Sequence, residues 1–342
     1  MKGVIKYLVF GCAACGSLLS IAGCTKEDLN MRTPAGYVEI ALNWDEYFDD
    51  EANVSTDESG KNVKKCALLY FYSVETGASV FDGPKESVSE YDDRTLSWTP
   101  HMFKGFLPEG TYHVVVMNRN FTNAHLLYDD KFEDARIDIA KDDGESVSFG
   151  KTRVAKAGDL ICAPASVFLA SGLDGDTKTL TVGNLDTVKR VASPKHMIKR
   201  VTFTITLEDF SASACRGVLG GVSASLKCST CQCLPVSGRV KFQTEADATN
   251  PNVFKASFNV FDLIPAGAQS HLLELTLTID GSERTTTVDI SDDVLKELEK
   301  GDFTYDLPLA LHIKVTHTIE GDIQASVEGW DDSGSGSGTG SY

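Results

Sequence analysis

The sequence predicts an all-β fold: two tandem β-sandwich domains, with one short helix in the second. Three observations carry this. Apolar and polar residues alternate with period two in segment after segment, the mark of half-buried strands. The segments are short and separated by Gly-, Pro- and Asp-rich turns, as in sandwiches. The chain has 342 residues, which at about 150 residues per domain makes two domains.

The elements follow in order. Val38, Ile40, Leu42 and Trp44 share one face of a first strand, and an acidic loop runs from Asp45 to Gly60. Strands are expected at 66–72, 95–98 and 111–117, the last entered through the turn Leu107-Pro108-Glu109-Gly110. Strands at 146–149 and 165–170 complete the first set. A loop containing Gly172, Gly175 and Gly183 leads to the second set. There, Val201, Phe203, Ile205 and Leu207 alternate with Thr202, Thr204 and Thr206. Strands at 218–226 and 257–260 follow. The strands 273–279 and 284–290 form a hairpin across Asp280-Gly281-Ser282-Glu283. Ser291 is expected to cap a helix, with Asp292 and Asp293 at its positive end and Gly301 stopping it. Ile313, Val315 and Ile319 belong to a late strand. The expected division is 1–23 signal, 24–36 linker, 37–185 first sandwich, 186–332 second sandwich and 333–342 flexible Gly/Ser tail.

Composition narrows the function. With 42% hydrophobic and 24% charged residues, the chain is neither disordered, collagen-like nor a coiled coil. A net charge of −17 excludes a nucleic-acid partner, because phosphate binding needs a basic face. Loss of Lys2 and Lys6 with residues 1–23 takes −17 to −19. So acidic a chain needs an anchor to stay on an anionic surface.

The N-terminus supplies one. Lys2 and Lys6 form a basic n-region, and residues 7–23 are uncharged and mostly apolar or small, a secretory pattern too short for a spanning helix. Ile21-Ala22-Gly23-Cys24 resembles the bacterial lipobox, in which the peptidase cuts before a Cys that carries diacylglycerol. Small side chains at Ala22 and Gly23 suit a narrow protease cleft. Acyl chains, at about 0.8 kcal/mol per buried CH₂, hold a soluble domain at a membrane. Lys26-Glu27-Asp28 is similar to the surface-export signal of Bacteroidetes lipoproteins. The expected location is therefore the cell outer membrane, lipid-anchored and facing the medium.

Of nine Cys, Cys12 and Cys15 leave with the signal and Cys24 is lipidated. Cys66 and Cys162 sit in apolar runs and read as small core residues. Cys228, Cys231 and Cys233 form a cluster expected to hold a local disulfide or one to Cys215, in an exported chain where disulfides are permitted; free thiols in a strand and its turn are the alternative. A metal is not expected there, because no second C-x-x-C and no nearby His completes a tetrahedral set.

No catalytic motif of the zincin, P-loop, dinucleotide or nucleophile-elbow type occurs. His113 reads as a structural strand residue and His317 as a strand-end residue at the core rim. Paired carboxylates read as solvated faces, and Asp174-Gly175-Asp176 lacks the remaining ligands of a Ca²⁺ loop. No catalytic residue and no cofactor is expected, and the chain reads as non-enzymatic. Asp186-Thr187-Val188 resembles the O-glycosylation signal of exported Bacteroidetes proteins, with Thr187 as acceptor.

The run of motifs carries a family resemblance. After the lipobox come Val38-Glu-Ile-Ala-Leu-Asn-Trp44, Ala67-Leu-Leu-Tyr-Phe-Tyr72 and Gly105-Phe-Leu-Pro-Glu-Gly-Thr-Tyr-His-Val-Val-Val-Met-Asn118. Gly217-Val-Leu-Gly-Gly-Val-Ser-Ala-Ser225, Phe258-Asn-Val-Phe261 and Thr276-Leu-Thr-Ile-Asp-Gly281 follow. The succession resembles the DUF5119 group, which is similar to the FimB/Mfa2 fimbrial anchor lipoproteins among the fimbrillin-like families. The resemblance implies transthyretin-like, Greek-key sandwiches. It also implies fimbrial subunits as partners through donor-strand exchange, in which one subunit's extended segment completes another's sheet. Polymerising relatives lose the lipid and first strand by a cut after an Arg. Here a cut after Arg32 would spare Val38 to Trp44 and open no groove there. The tail after Trp330 lacks the alternating apolar residues of a donor strand. The expected role is an anchor or accessory subunit of a fimbria-like filament, acting in cell adhesion. The alternative is a free-standing binding lipoprotein for glycan or host protein, with Trp44, Trp98 and Tyr91 as stacking candidates.

Overall fold

The computed structural model describes residues 34–44, 55–56, 62–63, 67–92, 97–119, 123–143, 155–265, 270–301, 303–318 and 322–330. The lipobox residues Ile21, Ala22 and Gly23, the anchor Cys24, Lys26, Glu27, Asp28, Arg32, Cys66, the strand expected at 146–149, Ile319 and the tail lie outside them.

The longer strands of the first half are β1 (Ala35–Leu42), β2 (Ala67–Ser73), β3 (Val88–Asp92), β4 (Ser97–Pro108), β5 (Gly110–Asn118), β6 (Ala124–Leu127), β7 (Arg136–Ile139), β8 (Phe168–Ser171) and β9 (Thr179–Val182). Those of the second are β10 (Thr187–Ala192), β11 (Lys199–Leu207), β12 (Ala214–Lys227), β13 (Gln232–Gln243), β14 (Val253–Val260), β15 (Leu272–Ile279) and β16 (Ser282–Asp289). Helix α1 (Ser291–Lys300), β17 (Leu309–His317) and β18 (Ile323–Trp330) follow.

Four main sheets result. Sheet I has the order β10-β1-β4-β3. Sheet II centres on β8-β5-β2, with β9 also pairing with β5. Sheet III runs β13-β12-β7-β6 and extends from β12 to β15 and β16. Sheet IV runs β14-β11-β17-β18. The pairings cross the boundary expected at 185/186. β10 lies parallel to β1, from Tyr37↔Thr187 to Leu42↔Ala192. β7, from the first half, pairs with the end of β12, Ile137 opposite Leu226.

Burial explains the strand patterns. Val38, Ile40 and Leu42 of β1 are sealed against Leu69, Phe71, Val114 and Val116 in one core. Tyr70, Tyr72, Val115 and Met117, the alternate residues of the same two strands of sheet II, enter a second core. Sheet II is thus covered on both faces, which is why β2 and β5 are continuous apolar runs rather than alternating ones. The second core continues between sheets III and IV, where Phe203 meets Phe242 and Phe258 with ring centroids 5.4 and 5.7 Å apart. Residues of β11 alternate between buried and half-buried, as their Thr/apolar sequence requires.

β12 and β13 form one long hairpin that links the two bodies. Its base pairs with β15, and its tip reaches sheet II, where Ser171 Oγ donates to Ser229 O at 2.6 Å. The register slips between Leu219 and Val222. Gly221 there has φ +74°, and a Cβ on it would lie 2.5 Å from the His271 ring, so only glycine suits the position.

Two local expectations need correction. The β15–β16 turn is tighter than expected: Asp280 and Gly281, with φ of 49° and 77°, make a two-residue turn, and Ser282 and Glu283 belong to β16. Ser291 does not cap α1. Ile290 holds the cap position, and no side chain caps it. Asp289 instead accepts both the Ser291 amide and hydroxyl, and Ser291 Oγ accepts the His271 amide at 2.8 Å. Gly301 does end the helix, at φ 77°.

Candidate functional site

The first candidate site is the seat of β1. It lies between β10 and β4 with Val38 and Ile40 fully buried, so the chain fills this slot in sheet I with its own first strand. Trp44 packs edge-on against Phe168, centroids 5.9 Å apart, as a core-side residue rather than a sugar platform. The side chains of Tyr91 and Trp98 lie outside the described residues.

The second is a cavity of about 810 Å³ beside the long hairpin, within the range of ligand pockets. Its walls include Lys199, Ser223, Cys233, Asp262, Phe303 and Tyr305. Lys199 Nζ lies 2.8 Å from Asp262 Oδ2 and 4.9 Å from the Phe303 centroid. The Arg200 guanidinium lies 3.8 Å over Tyr305. Ser223 Oγ donates to Leu234 O at 2.8 Å and lies 3.0 Å from Ser225 O, so its proton is already committed. Burial, with Asp262 adding to it, pushes the Cys233 thiol up to about 12, so it stays protonated at neutral pH. The walls can hold a ligand by apolar contact and charge, but neither group is an activated nucleophile.

The described cysteines Cys162, Cys215, Cys228, Cys231 and Cys233 are free thiols. A bridge to Cys215 is corrected by geometry. Residues 216–227 separate it from Cys228 along one strand, roughly 40 Å when extended, and a disulfide needs Cα atoms within about 7 Å. Cys228 and Cys231 do share the hairpin turn, with Cys231 Sγ 3.9 Å from Cys228 O. Burial raises both thiols, with the Cys231 charge adding for Cys228. Cys162 is half-buried rather than a core residue.

One polar row escaped sequence reasoning. Ser225, Asp138 and His125 stand side by side on β12, β7 and β6. Ser225 Oγ donates to the buried Asp138 carboxylate at 2.5 Å, and Arg136 Nε lies 3.1 Å from the same oxygen. The residue types are those of a hydrolase triad, but the order is not. A triad places His between Ser and Asp so that it takes the hydroxyl proton. Here Asp is central, and the row satisfies a buried carboxylate. The residues lie far apart in sequence, and only strand register could have found them.

His113 stacks on Phe132 at 4.1 Å, and the exposed strand-end His317 stacks on Phe210 at 4.5 Å; both are structural. Thr187 is exposed on the edge strand β10. Among the described residues no group of three or more His, Cys, Asp or Glu is placed to hold a metal, and no helix is long and apolar enough to cross a membrane.

Comparison with known structures fixes the architecture. The chain is similar to an adhesin candidate from Bacteroides ovatus, at 15% identity over 89% of this chain and 97% of that one, with a TM-score of 0.56. It is also similar to the fimbrial anchor protein Mfa2 from Porphyromonas gingivalis, at 10% identity over 86% of this chain and 98% of that one, with a TM-score of 0.50. The fold is that β-sandwich fold. No protein-family model and no curated protein matches the chain. At these identities the likeness is one of fold alone.

Proposed function

We propose that the protein is a non-enzymatic surface lipoprotein that anchors or assists a fimbria-like adhesive filament, held at the outer membrane through Cys24. The observation that carries this reading is β1. The chain fills its own sheet I with a strand whose inward residues are fully buried, and a cut after Arg32 leaves that strand in place. A subunit that keeps its first strand offers no acceptor slot there and suits a terminal, membrane-held position. The fold shared with an adhesin candidate and a fimbrial anchor supports the reading, as does the resemblance to the DUF5119 and FimB/Mfa2-like lipoproteins. Its partners are then fimbrial subunits joined by donor-strand exchange.

The test is Cys24→Ala in the producing cell. Filaments and this protein are expected to leave the outer membrane for the medium. Unchanged cell-bound filaments would sink the proposal. The cavity beside the long hairpin favours a second reading, a free-standing binding lipoprotein for glycan or host protein. Isolation from gently solubilised outer membrane separates the two: a ladder of pilin-like subunits supports the anchor, and a lone protein with a bound glycan supports the second.

A further inference from the structure

Among the described residues the two most exposed large apolar side chains are Leu185, at 88%, and Phe106, at 72%. Both lie at one end of sheet I. Tyr37 stands between them, paired with Phe106 on one side and with Thr187 on the other, and its ring centroid is 5.2 Å from that of Phe106. Leu185 also has φ +60°, a left-handed conformation that a bulky side chain rarely adopts. Backbone strain and exposed apolar surface together oppose folding at this residue, and such a combination points to a use outside the fold.

The chain leaves the described structure at the same end. The Leu185 amide donates to Ala35 O at 2.9 Å, and the Glu109 amide to Pro34 O at 2.8 Å. Residues 24–33 connect Pro34 to Cys24, at most about 35 Å of extended chain. The end is backed by charge. Two residues further along the strands, about 7 Å away, Glu39 stands between Lys104 and Lys189, with Lys189 Nζ 2.8 Å from Glu39. The apolar, aromatic tip matches the acyl boundary of a bilayer interface, and the contact is apolar, because Glu39 offsets one of the two lysines behind it. Two acids share this end: Glu109, and Asp186, whose carboxylate accepts the Gly183 amide at 3.1 Å.

We propose that Leu185, Phe106 and Tyr37 form a lipid-contact surface that seats the first sandwich on the bilayer; this rests on the Cys24 anchor reading. The anchor sets the distance, and the surface sets the orientation, directing the second sandwich away from the membrane. The occupant is the lipid interface itself. A sugar on Thr187, in the same row, would hold the bilayer off.

The test is photocross-linking of the full acylated protein in vesicles of phosphatidylethanolamine and phosphatidylglycerol. Phe106→p-benzoylphenylalanine places the probe at the tip. The same change at Leu307, 52% exposed in the second sandwich, is the control. Lipid adducts at position 106 and their loss at 307 are expected. Equal adducts, no adduct at 106, adducts to protein at 106, or hexose on Thr187 would overturn the surface. Intact mass of the same preparation reads the acyl chains on Cys24. Acylated protein without the adduct overturns the surface alone, whereas protein without acyl chains overturns the anchor reading beneath it.

Discussion

Sheet II and β11 of sheet IV are both strands in a sandwich, yet they obey different rules. Along β5, Val115 and Val116 are both fully buried, but in different cores. Along β11, Phe203 is buried while Thr204 is half-buried. Sheet II is a shared wall between two cores, and sheet IV is an outer wall with one wet face. A continuous apolar run therefore marks a strand that welds two bodies, and an alternating one marks a strand that closes a single body.

The sharpest way to break this comparison is a charge at neighbouring positions. Val115→Asp and Val116→Asp are both expected to unfold the protein, because each buries an unpaired carboxylate in a separate core. Phe203→Asp should do the same, whereas Thr204→Asp should shift the thermal midpoint little. Urea and thermal melts followed by circular dichroism would show it. A mild Val115→Asp phenotype would mean that sheet II is covered on one face only.

The next effect concerns the hairpin that ties the bodies together. Gly221→Ala is expected to cost about 1–3 kcal/mol, from a strained φ and a Cβ driven into the His271 ring. Equilibrium urea unfolding measures it. A cost indistinguishable from zero would mean that the bulge relaxes freely and the link is soft.

The smallest expected effect is a pH dependence seated under that bulge. His271 is fully buried, and burial lowers its pKa from the ordinary value, outweighing the opposite pull of Asp289. The folded state keeps it neutral, and the unfolded chain takes up the proton near pH 6.5. Its contribution is therefore complete above about pH 6.5 and declines as pH falls below that value. The difference in stability between wild type and His271→Gln should narrow between pH 7 and pH 5. A constant difference would show that His271 does not titrate on unfolding.

Much of this was legible in the residues. Val38, Ile40 and Leu42 announce a half-buried strand by alternation, and the Thr-apolar alternation of 201–207 announces another. Gly301 marks the end of α1 because a left-handed terminus favours glycine. The strands β3, β6, β7, β9 and β10 went unread because they are only four to six residues long, and β13 because Gln232–Gln243 carries Pro235 and Gly238 inside it; β18, with Ile323, Ala325 and Val327 alternating, was legible and was missed. The Ser225-Asp138-His125 row was invisible because strand register, not spacing, brings those residues together.

By itself the sequence determined the fold class and many of the individual amphipathic strands, since each is written in residues adjacent in the chain. Only the tertiary structure decided that β10 joins β1, that β7 joins β12 and that sheet II serves two cores. The same structure brought Leu185 and Phe106 to one exposed end. Those are pairings between distant segments, chosen by which buried surfaces fit together, and local periodicity carries no information about the partner.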